Sequence, residues 1–163
     1  MYPQSRVLII AGSDSSGGAG IQADIKTVTL LGSYAMTAVT AVTAQNTMGV
    51  KKITPIPKKN VQKQIMMILD DIGADAVKIG MLYNVSIIKG VHHVLKKYNL
   101  KNIVIDPVMV AKGGARLINN NSIAYLKKLL LPLAKIITPN IPEAEVLSGC
   151  SISNKEDMIQ AAK

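Results

Sequence analysis

The apolar run Val7-Leu8-Ile9-Ile10-Ala11 stops abruptly in Gly12-Ser13-Asp14-Ser15-Ser16-Gly17-Gly18-Ala19-Gly20, and a helix-like segment, Ile21 to Leu31, comes at once after it. A strand that feeds a helix through a glycine-rich turn is the first part of a βαβ unit, the connection that parallel strands require. Glycine lets main-chain N–H groups come close to a ligand, and the helix N-terminus favours an anion. The competing reading is a tight strand-to-helix turn that binds nothing.

The alternation continues along the chain. Arg6–Ala11 reads as a first strand and Gly20–Leu31 as a helix ended by Gly32, and Met36–Ala44, rich in Thr and Val, reads as a second strand. Asn60–Ile72 is amphipathic, Ala76–Ile79 is a short apolar strand before Gly80, and Asn84–Tyr98 is helical. Asn102–Ile105 is a strand that stops at Asp106-Pro107, Ser122–Leu130 is helical, and Ala134–Ile137 is a strand that stops at Thr138-Pro139. Strands separated by crossover helices predict an α/β fold with a mostly parallel central sheet and helices on both faces.

A length of 163 residues suits one domain. Ser153-Asn154-Lys155-Glu156 has the Ser-x-x-Glu form of a capping box, but the helix it would open runs only a couple of turns. The expectation is therefore a single domain, residues 1–163, whose sheet is incomplete at its C-terminal side.

Two nucleotide loops can be tested against the opening turn. Gly12 to Gly17 has the Gly-x-x-x-x-Gly spacing of a P-loop, but Gly18 and Ala19 stand where that motif needs Lys and Ser or Thr. Gly18-Ala19-Gly20-Ile21-Gln22-Ala23 fits a loose dinucleotide fingerprint, yet no Asp or Glu lies between Asp24 and Asp70 to hold a ribose. Both readings fail.

The formal charge of +9 invites a nucleic-acid reading, but the charge is mostly scattered lysine, with Arg6 and Arg116 the two arginines. Aromatics make up 3% of the chain, with no Phe or Trp, which removes the stacking platforms of single-strand binders. Anionic small ligands suit such a surface as well. Neither a signal peptide nor a transmembrane stretch is evident, so the expected location is the cytoplasm. The single Cys150 excludes an internal disulfide.

Parallel α/β sheets bind ligands beyond the carboxyl ends of their strands. The residues just past the five expected strands are Ser13/Asp14, Gln45/Asn46, Gly80/Met81, Asp106 and Thr138/Asn140. Asp106 is either a carboxylate delivered to the sheet edge or an Asp-Pro turn residue. Asn140-Ile141-Pro142-Glu143 reads as an N-cap with its reciprocal carboxylate. Paired with Asp106, Glu143 reads instead as a partner in holding Mg²⁺ through water. Lys112, before Gly113-Gly114, is placed to reach a phosphate or is a plain surface lysine. His92 and His93 are adjacent on a helix and point apart, Met66-Met67 reads as helix packing, and Lys51-Lys52 and Lys58-Lys59 read as solvated charge around a Pro-containing loop.

Taken together, Ala11 to Thr27, Thr40-Ala41-Val42-Thr43-Ala44-Gln45-Asn46-Thr47, Lys78-Ile79-Gly80-Met81-Leu82, Asp106-Pro107-Val108-Met109-Val110 and Thr138-Pro139-Asn140-x-x-Glu143 closely resemble the hydroxymethylpyrimidine/phosphomethylpyrimidine kinases of the ribokinase-like superfamily. The resemblance implies a three-layer α/β/α fold and ATP- and Mg²⁺-dependent phosphorylation, in thiamine biosynthesis, of 4-amino-5-hydroxymethyl-2-methylpyrimidine and then its monophosphate. It places Gln45 on the pyrimidine's amino and ring nitrogens, with Gly12, Ala19, Asp24, Met81 and Val108 framing the same pocket. It places Asp106, Lys112, Asn140 and Glu143 on the ATP side, with Asp106 and Glu143 towards Mg²⁺.

The resemblance also implies a cytoplasmic homodimer with no nucleic-acid or membrane partner. Family members carry a Gly-Thr-Gly-Cys-type anion hole that activates the hydroxyl, and no segment here matches it, so no catalytic residue is expected in this chain and the 163 residues alone are expected to be inactive. A pyridoxal kinase of the same superfamily is the close alternative, although Gln45 within Ala-Gln-Asn-Thr favours the pyrimidine. A non-catalytic pyrimidine-binding or dimerising module is the alternative from a different class.

Overall fold

The computed structural model describes residues 3–110 and 117–163. Lys112, expected on the phosphate side, lies outside the described residues. Six strands form one sheet in the order β3-β2-β1-β4-β5-β6. The strands are β1 (Arg6–Ser13), β2 (Tyr34–Asn46), β3 (Gly49–Pro55), β4 (Ala76–Ile79), β5 (Ile103–Ile105) and β6 (Ile136–Ile137). All neighbours pair in parallel except β2 and β3, which form an antiparallel hairpin at one edge.

That sixth strand is a correction to the sequence reading. Lys51 and Lys52 belong to β3 rather than to a loop, and Val42 and Thr54 face each other across the hairpin. The turn is made by Asn46, whose Oδ1 accepts the N–H groups of Met48 (2.9 Å) and Gly49 (3.2 Å). An asparagine that imitates a backbone turn in this way is a local hairpin signal.

The helices are α1 (Gly20–Leu30), α2 (Lys58–Asp71), α3 (Val85–Lys97), α4 (Asn120–Tyr125), α5 (Ile141–Ser148) and α6 (Lys155–Ala161). Asparagine side chains cap four of them: Asn84, Asn119, Asn140 and Asn154 accept from the N–H groups of Ile87, Ser122, Glu143 and Asp157. The cap of α6 is thus Asn154, one residue beyond the Ser153 expected, while Ser153 donates its N–H to Asp157. After α4 the chain passes through a π-helical turn, Leu126–Leu130, and a 3₁₀ turn, Leu131–Leu133, that holds Pro132.

The period-two alternation of strands divides the core into two layers. On one face Leu8 and Ile10 of β1 pack with Met36, Val77, Ile103 and the apolar stripes of α2 and α3. On the other face Ile9 and Ala11 pack with Ile21 of α1. β1 is buried on both faces, which explains its continuous apolar sequence. Met66 joins the first core, but Met67 is exposed, so one of the two methionines does not pack the helix. His93 is exposed, and burial, then Lys96 and His93, push the His92 pKa down. Among the described residues no helix is long and apolar enough to cross a membrane.

Candidate functional site

The strand order brings the carboxyl ends of β2, β1, β4 and β5 side by side. The ladder continues one residue past β4 and β5: Gly80 N–H donates to Ile10 at 2.9 Å and Asp106 N–H to Ile79 at 2.8 Å. Gly80 and Asp106 are therefore held in register at the sheet edge. There they border a cavity of about 270 Å³ that also touches Gly12, Asp24, Gln45 and Val108. Ala19 and Met81 line it as well, so all six residues expected to frame the acceptor share one cavity with Asp106.

The glycine-rich turn forms one wall, and the N–H groups of Ser16, Gly17, Gly18 and Ala19 all donate to Asp14. The Asp14 carboxylate accepts the N–H groups of Ser16 (2.9 Å), Gly18 (3.1 Å) and Ala19 (2.8 Å) and the Ser16 hydroxyl (2.8 Å). Burial alone would raise the Asp14 pKa, but the hydrogen bonds from Ser16, Ala19 and Gly18 outweigh it and hold the pKa below its usual value. A buried carboxylate thus occupies the anion nest of the turn and accepts the N–H of Ala19, the N-cap residue of α1, a helix with no side-chain cap. Gln22 locks the turn further, accepting from Asp14 N–H at 2.8 Å and donating to the Ser13 hydroxyl at 2.9 Å. The phosphate cradle suggested by the glycines is closed by the loop's own aspartate.

The β2 wall is irregular where it meets the cavity. The β2–β3 register shifts between Ala44 and Gln45, a local bulge of the kind that re-aims side chains. Ser15 clamps the backbone there, donating to the Gln45 carbonyl at 2.6 Å and accepting from Gln45 N–H at 2.8 Å. The Thr43 hydroxyl donates to the Ser13 carbonyl at 2.8 Å and lies 3.3 Å from Gln45 Oε1. Below them, the Thr40 hydroxyl donates to the Met81 carbonyl at 2.8 Å, and Met81 packs with Ala41 and Leu117. A Cβ on Gly12 would lie 2.6 Å from the Met81 terminal methyl, so the missing side chain at Gly12 gives Met81 its place.

Sequence reasoning missed Lys78. Its Nζ donates to Asp24 Oδ2 at 2.8 Å and lies 3.5 Å from Asp106 Oδ2. The signal was present: a lysine inside the four-residue strand Ala-Val-Lys-Ile needs a counter-ion if that strand is central. Ser15 and Thr43 were missed too, because their contacts depend on the bulge.

Asn140 and Glu143 stand apart from the cavity. β6 is the far edge strand, and Asn140 lines a different, mostly apolar groove between the end of β6, α5 and α6. The capping box is fully formed: Glu143 N–H donates to Asn140 Oδ1 at 2.9 Å and Asn140 N–H to Glu143 Oε2 at 3.1 Å. The other Glu143 oxygen accepts from Met109 N–H at 3.3 Å, and the residue is 6% exposed. Both oxygens of Glu143 therefore accept main-chain N–H groups, one of them from Met109, three residues past Asp106 beyond the neighbouring strand β5. Among the described residues no three His, Cys, Asp or Glu side chains cluster as a metal site.

The sequence profile of the phosphomethylpyrimidine kinase family matches residues 14–163. The chain is 49% identical over 158 residues to a hydroxymethylpyrimidine/phosphomethylpyrimidine kinase of Bacillus subtilis, covering 97% of this chain and 58% of that protein. It is 46% identical over 161 residues to a pyridoxine kinase of the same organism, covering 97% of this chain and 59% of that protein. The crystal structure of a phosphomethylpyrimidine kinase from Clostridium difficile superimposes with a TM-score of 0.91 at 51% identity, over 97% of this chain and 68% of that one. The chain thus spans about three-fifths of those two Bacillus relatives. The fold is the ribokinase-like α/β fold expected from the resemblance. By its profile, its identity to these relatives and its fold, the chain belongs to the phosphomethylpyrimidine kinase family.

Proposed function

We propose that the cavity is the acceptor pocket of an ATP-dependent kinase acting on 4-amino-5-hydroxymethyl-2-methylpyrimidine and its monophosphate in thiamine biosynthesis. The observation that carries this reading is the placement of Gln45 on a bulge at the rim of a cavity of about 270 Å³, with Asp24 lining the same space. A primary amide offers a donor and an acceptor together, which matches an amino group beside a ring nitrogen. The space suits one small ring. With the N–H groups of Ser16, Gly18 and Ala19 engaged by the Asp14 carboxylate, this wall suits the uncharged ring of the acceptor.

Transfer of a γ-phosphoryl group to the acceptor hydroxyl depends on positioning and charge neutralisation more than on covalent chemistry. In this reading Gln45 and Asp24 orient the ring, Met81 and Val108 pack its faces, and Asp106 faces the nucleotide. Asp106 offers one accessible carboxylate at the sheet edge, the kind of ligand Mg²⁺ takes when it arrives on substrate phosphates. Mg²⁺ would supply neutralisation of phosphate charge there. Glu143 fits direct coordination poorly, since both its oxygens already accept N–H groups. By resemblance, hydroxyl activation belongs to a Gly-Thr-Gly-Cys-type segment that these 163 residues do not match. The same resemblance supports a cytoplasmic homodimer.

A second reading, a kinase of pyridoxal or pyridoxine, draws support from the 46% identity to a pyridoxine kinase. Calorimetric titration of the 163-residue chain with the hydroxymethylpyrimidine, its monophosphate and pyridoxal separates the two. The pyrimidine is expected to bind most tightly; preferential binding of pyridoxal favours the second reading, and binding of none of the three overturns both. ATP-dependent turnover by the 163 residues alone would overturn the assignment of hydroxyl activation to an unmatched segment.

A further inference from the structure

Lys78 is an anomaly in a central strand. It lies in β4, between β1 and β5, with Val77 and Ile79 buried on either side of it in sequence. Its side chain follows the α1-side face of the strand towards the carboxyl end, and there its Nζ meets Asp24 of α1 and Asp106 past the end of β5. The path is kept open by Gly80. A Cβ on Gly80 would lie 3.2 Å from Lys78 Nζ and 3.0 Å from the Ala11 Cβ, both tighter than ordinary contact. The ammonium thus sits within a cavity lined by three carboxylates, Asp14, Asp24 and Asp106, and pairs with the last two, closer to Asp24 than to Asp106.

We propose that Lys78 is a positioning residue that competes with a divalent cation for Asp106, holding that carboxylate closed until a cation drives the ammonium wholly onto Asp24. The inference rests on the reading of Asp106 as the cation-side carboxylate. Two cations cannot share one carboxylate without mutual repulsion, and at a few ångströms in a partly desolvated cavity that repulsion is substantial. Asp24 is the retreat that makes the exchange possible, because Lys78 keeps a full ion pair at 2.8 Å after it leaves Asp106. In the cation-free cavity Lys78 offsets the charge of Asp106, so a divalent ion enters most readily together with the anionic phosphates that carry it.

The test is Mn²⁺ binding to the 163-residue chain, read from the paramagnetic resonance signal of the free ion, with circular dichroism checking the fold of each variant. Lys78→Met removes the competitor and is expected to tighten Mn²⁺ binding by about three- to tenfold. Asp24→Asn removes the retreat, leaves Lys78 on Asp106, and is expected to weaken binding by about threefold or more. Loss of local charge alone would shift binding in these same two directions, so the competition is read from the double substitution Lys78→Met/Asp24→Asn. With the competitor gone, Asp24→Asn should no longer weaken binding, whereas a pure charge effect would persist and overturn the proposal. Lys26→Met, which removes a lysine of α1 that bonds the Gly17 carbonyl, is the control for net charge and should leave binding within about twofold.

Adding Asp106→Asn to Lys78→Met should abolish the gain. If Asp106→Asn lowers Mn²⁺ binding but the Lys78 and Asp24 variants do not move it in opposite directions, the inference on Lys78 fails by itself. If Asp106→Asn changes nothing in either background, the reading of Asp106 as a cation ligand fails and takes the inference with it.

Discussion

A Cβ on Gly20 would overlap the carbonyl oxygen of Gly12, inside any acceptable contact. Gly20 also has a φ of +56°, a conformation that L side chains adopt at a cost. The first residue of α1 therefore passes against the end of β1 at a distance that only glycine permits, and Asp14, between the two glycines, fills the turn that results. Gly20→Ala should lower stability by about 2–4 kcal/mol, because left-handed strain and a backbone clash add together. Gly18→Ala serves as the comparison: the Cβ would meet nothing closer than the Asp14 Oδ2 at 3.8 Å. Its effect should stay within about 1 kcal/mol. Urea midpoints of the two variants check the contrast, and equal values would mean that the turn yields at Gly20.

Acid sensitivity should reside in part far from the cavity. Asp75 accepts from the Arg6 guanidinium at 2.6 and 3.0 Å and from Arg6 N–H at 2.7 Å, which ties the start of β1 to the approach of β4. The Arg6 side-chain hydrogen bonds, then its backbone N–H, hold the Asp75 carboxyl down at about 2. A carboxylate with a lowered folded pKa gives stability that is complete above its unfolded pKa of about 3.9 and is lost as pH falls through the folded value. The melting temperature of the wild type should therefore fall between about pH 4 and pH 2 more steeply than that of Asp75→Asn. Matching slopes would show that the pair does not survive in solution.

The parallel sheet was legible because each element carries its own punctuation. Ala76–Ile79 ends at Gly80 and the strand at Ile103–Ile105 ends at Asp106-Pro107, and both boundaries hold in the structure. The hairpin strand β3 was not legible from alternation, since Lys51, Lys52 and Pro55 look like loop residues until β2 is there to pair with them. The acceptor side of the cavity was legible for the reason given by strand-end convergence, and Gly12, Asp24, Gln45, Met81, Val108 and Asp106 do meet. Asn140 and Glu143 come after a strand in the same way, but strand order is a non-local property. β6 is the edge strand beside β5, and there Asn140 and Glu143 close the capping box of α5 without lining the cavity. Lys78 was half legible: a lysine inside Ala-Val-Lys-Ile signals a counter-ion, but the partner, 54 positions away in sequence, is visible only in the fold.

Gln45 should carry acceptor recognition out of proportion to its contacts with the protein. Its backbone is clamped by Ser15, and its side chain reaches Thr43 only at a long 3.3 Å, which leaves the amide available to a ligand. Gln45→Ala should weaken binding of 4-amino-5-hydroxymethyl-2-methylpyrimidine by about 10- to 100-fold, the loss of two hydrogen bonds in a partly buried site. Stability should change by less than about 1 kcal/mol, because no buried partner is orphaned. Met48→Ala, on the exposed tip of the same hairpin, should leave binding unchanged. Calorimetry on the three proteins checks this, and wild-type affinity in the Gln45→Ala protein would remove Gln45 from the pocket.

Glu143 has a structural role that can be separated by experiment from a role in holding a cation. It closes the capping box of α5 through Asn140 N–H and reaches back to Met109 N–H, so it fastens the last helices to the segment just after β5. Glu143→Ala leaves the buried Met109 N–H and the part-buried Asn140 N–H without their acceptor and should cost about 2–4 kcal/mol. Glu143→Gln keeps one carbonyl acceptor and should cost about 1–2 kcal/mol. Because the neutral variant retains much of the stability, it can be titrated with Mn²⁺ while folded. Binding should match the wild type if Glu143 acts only as a cap, whereas Asp106→Asn should weaken it. A Glu143→Gln protein that folds but loses Mn²⁺ would return Glu143 to the cation site, at the expense of the cap that holds α5.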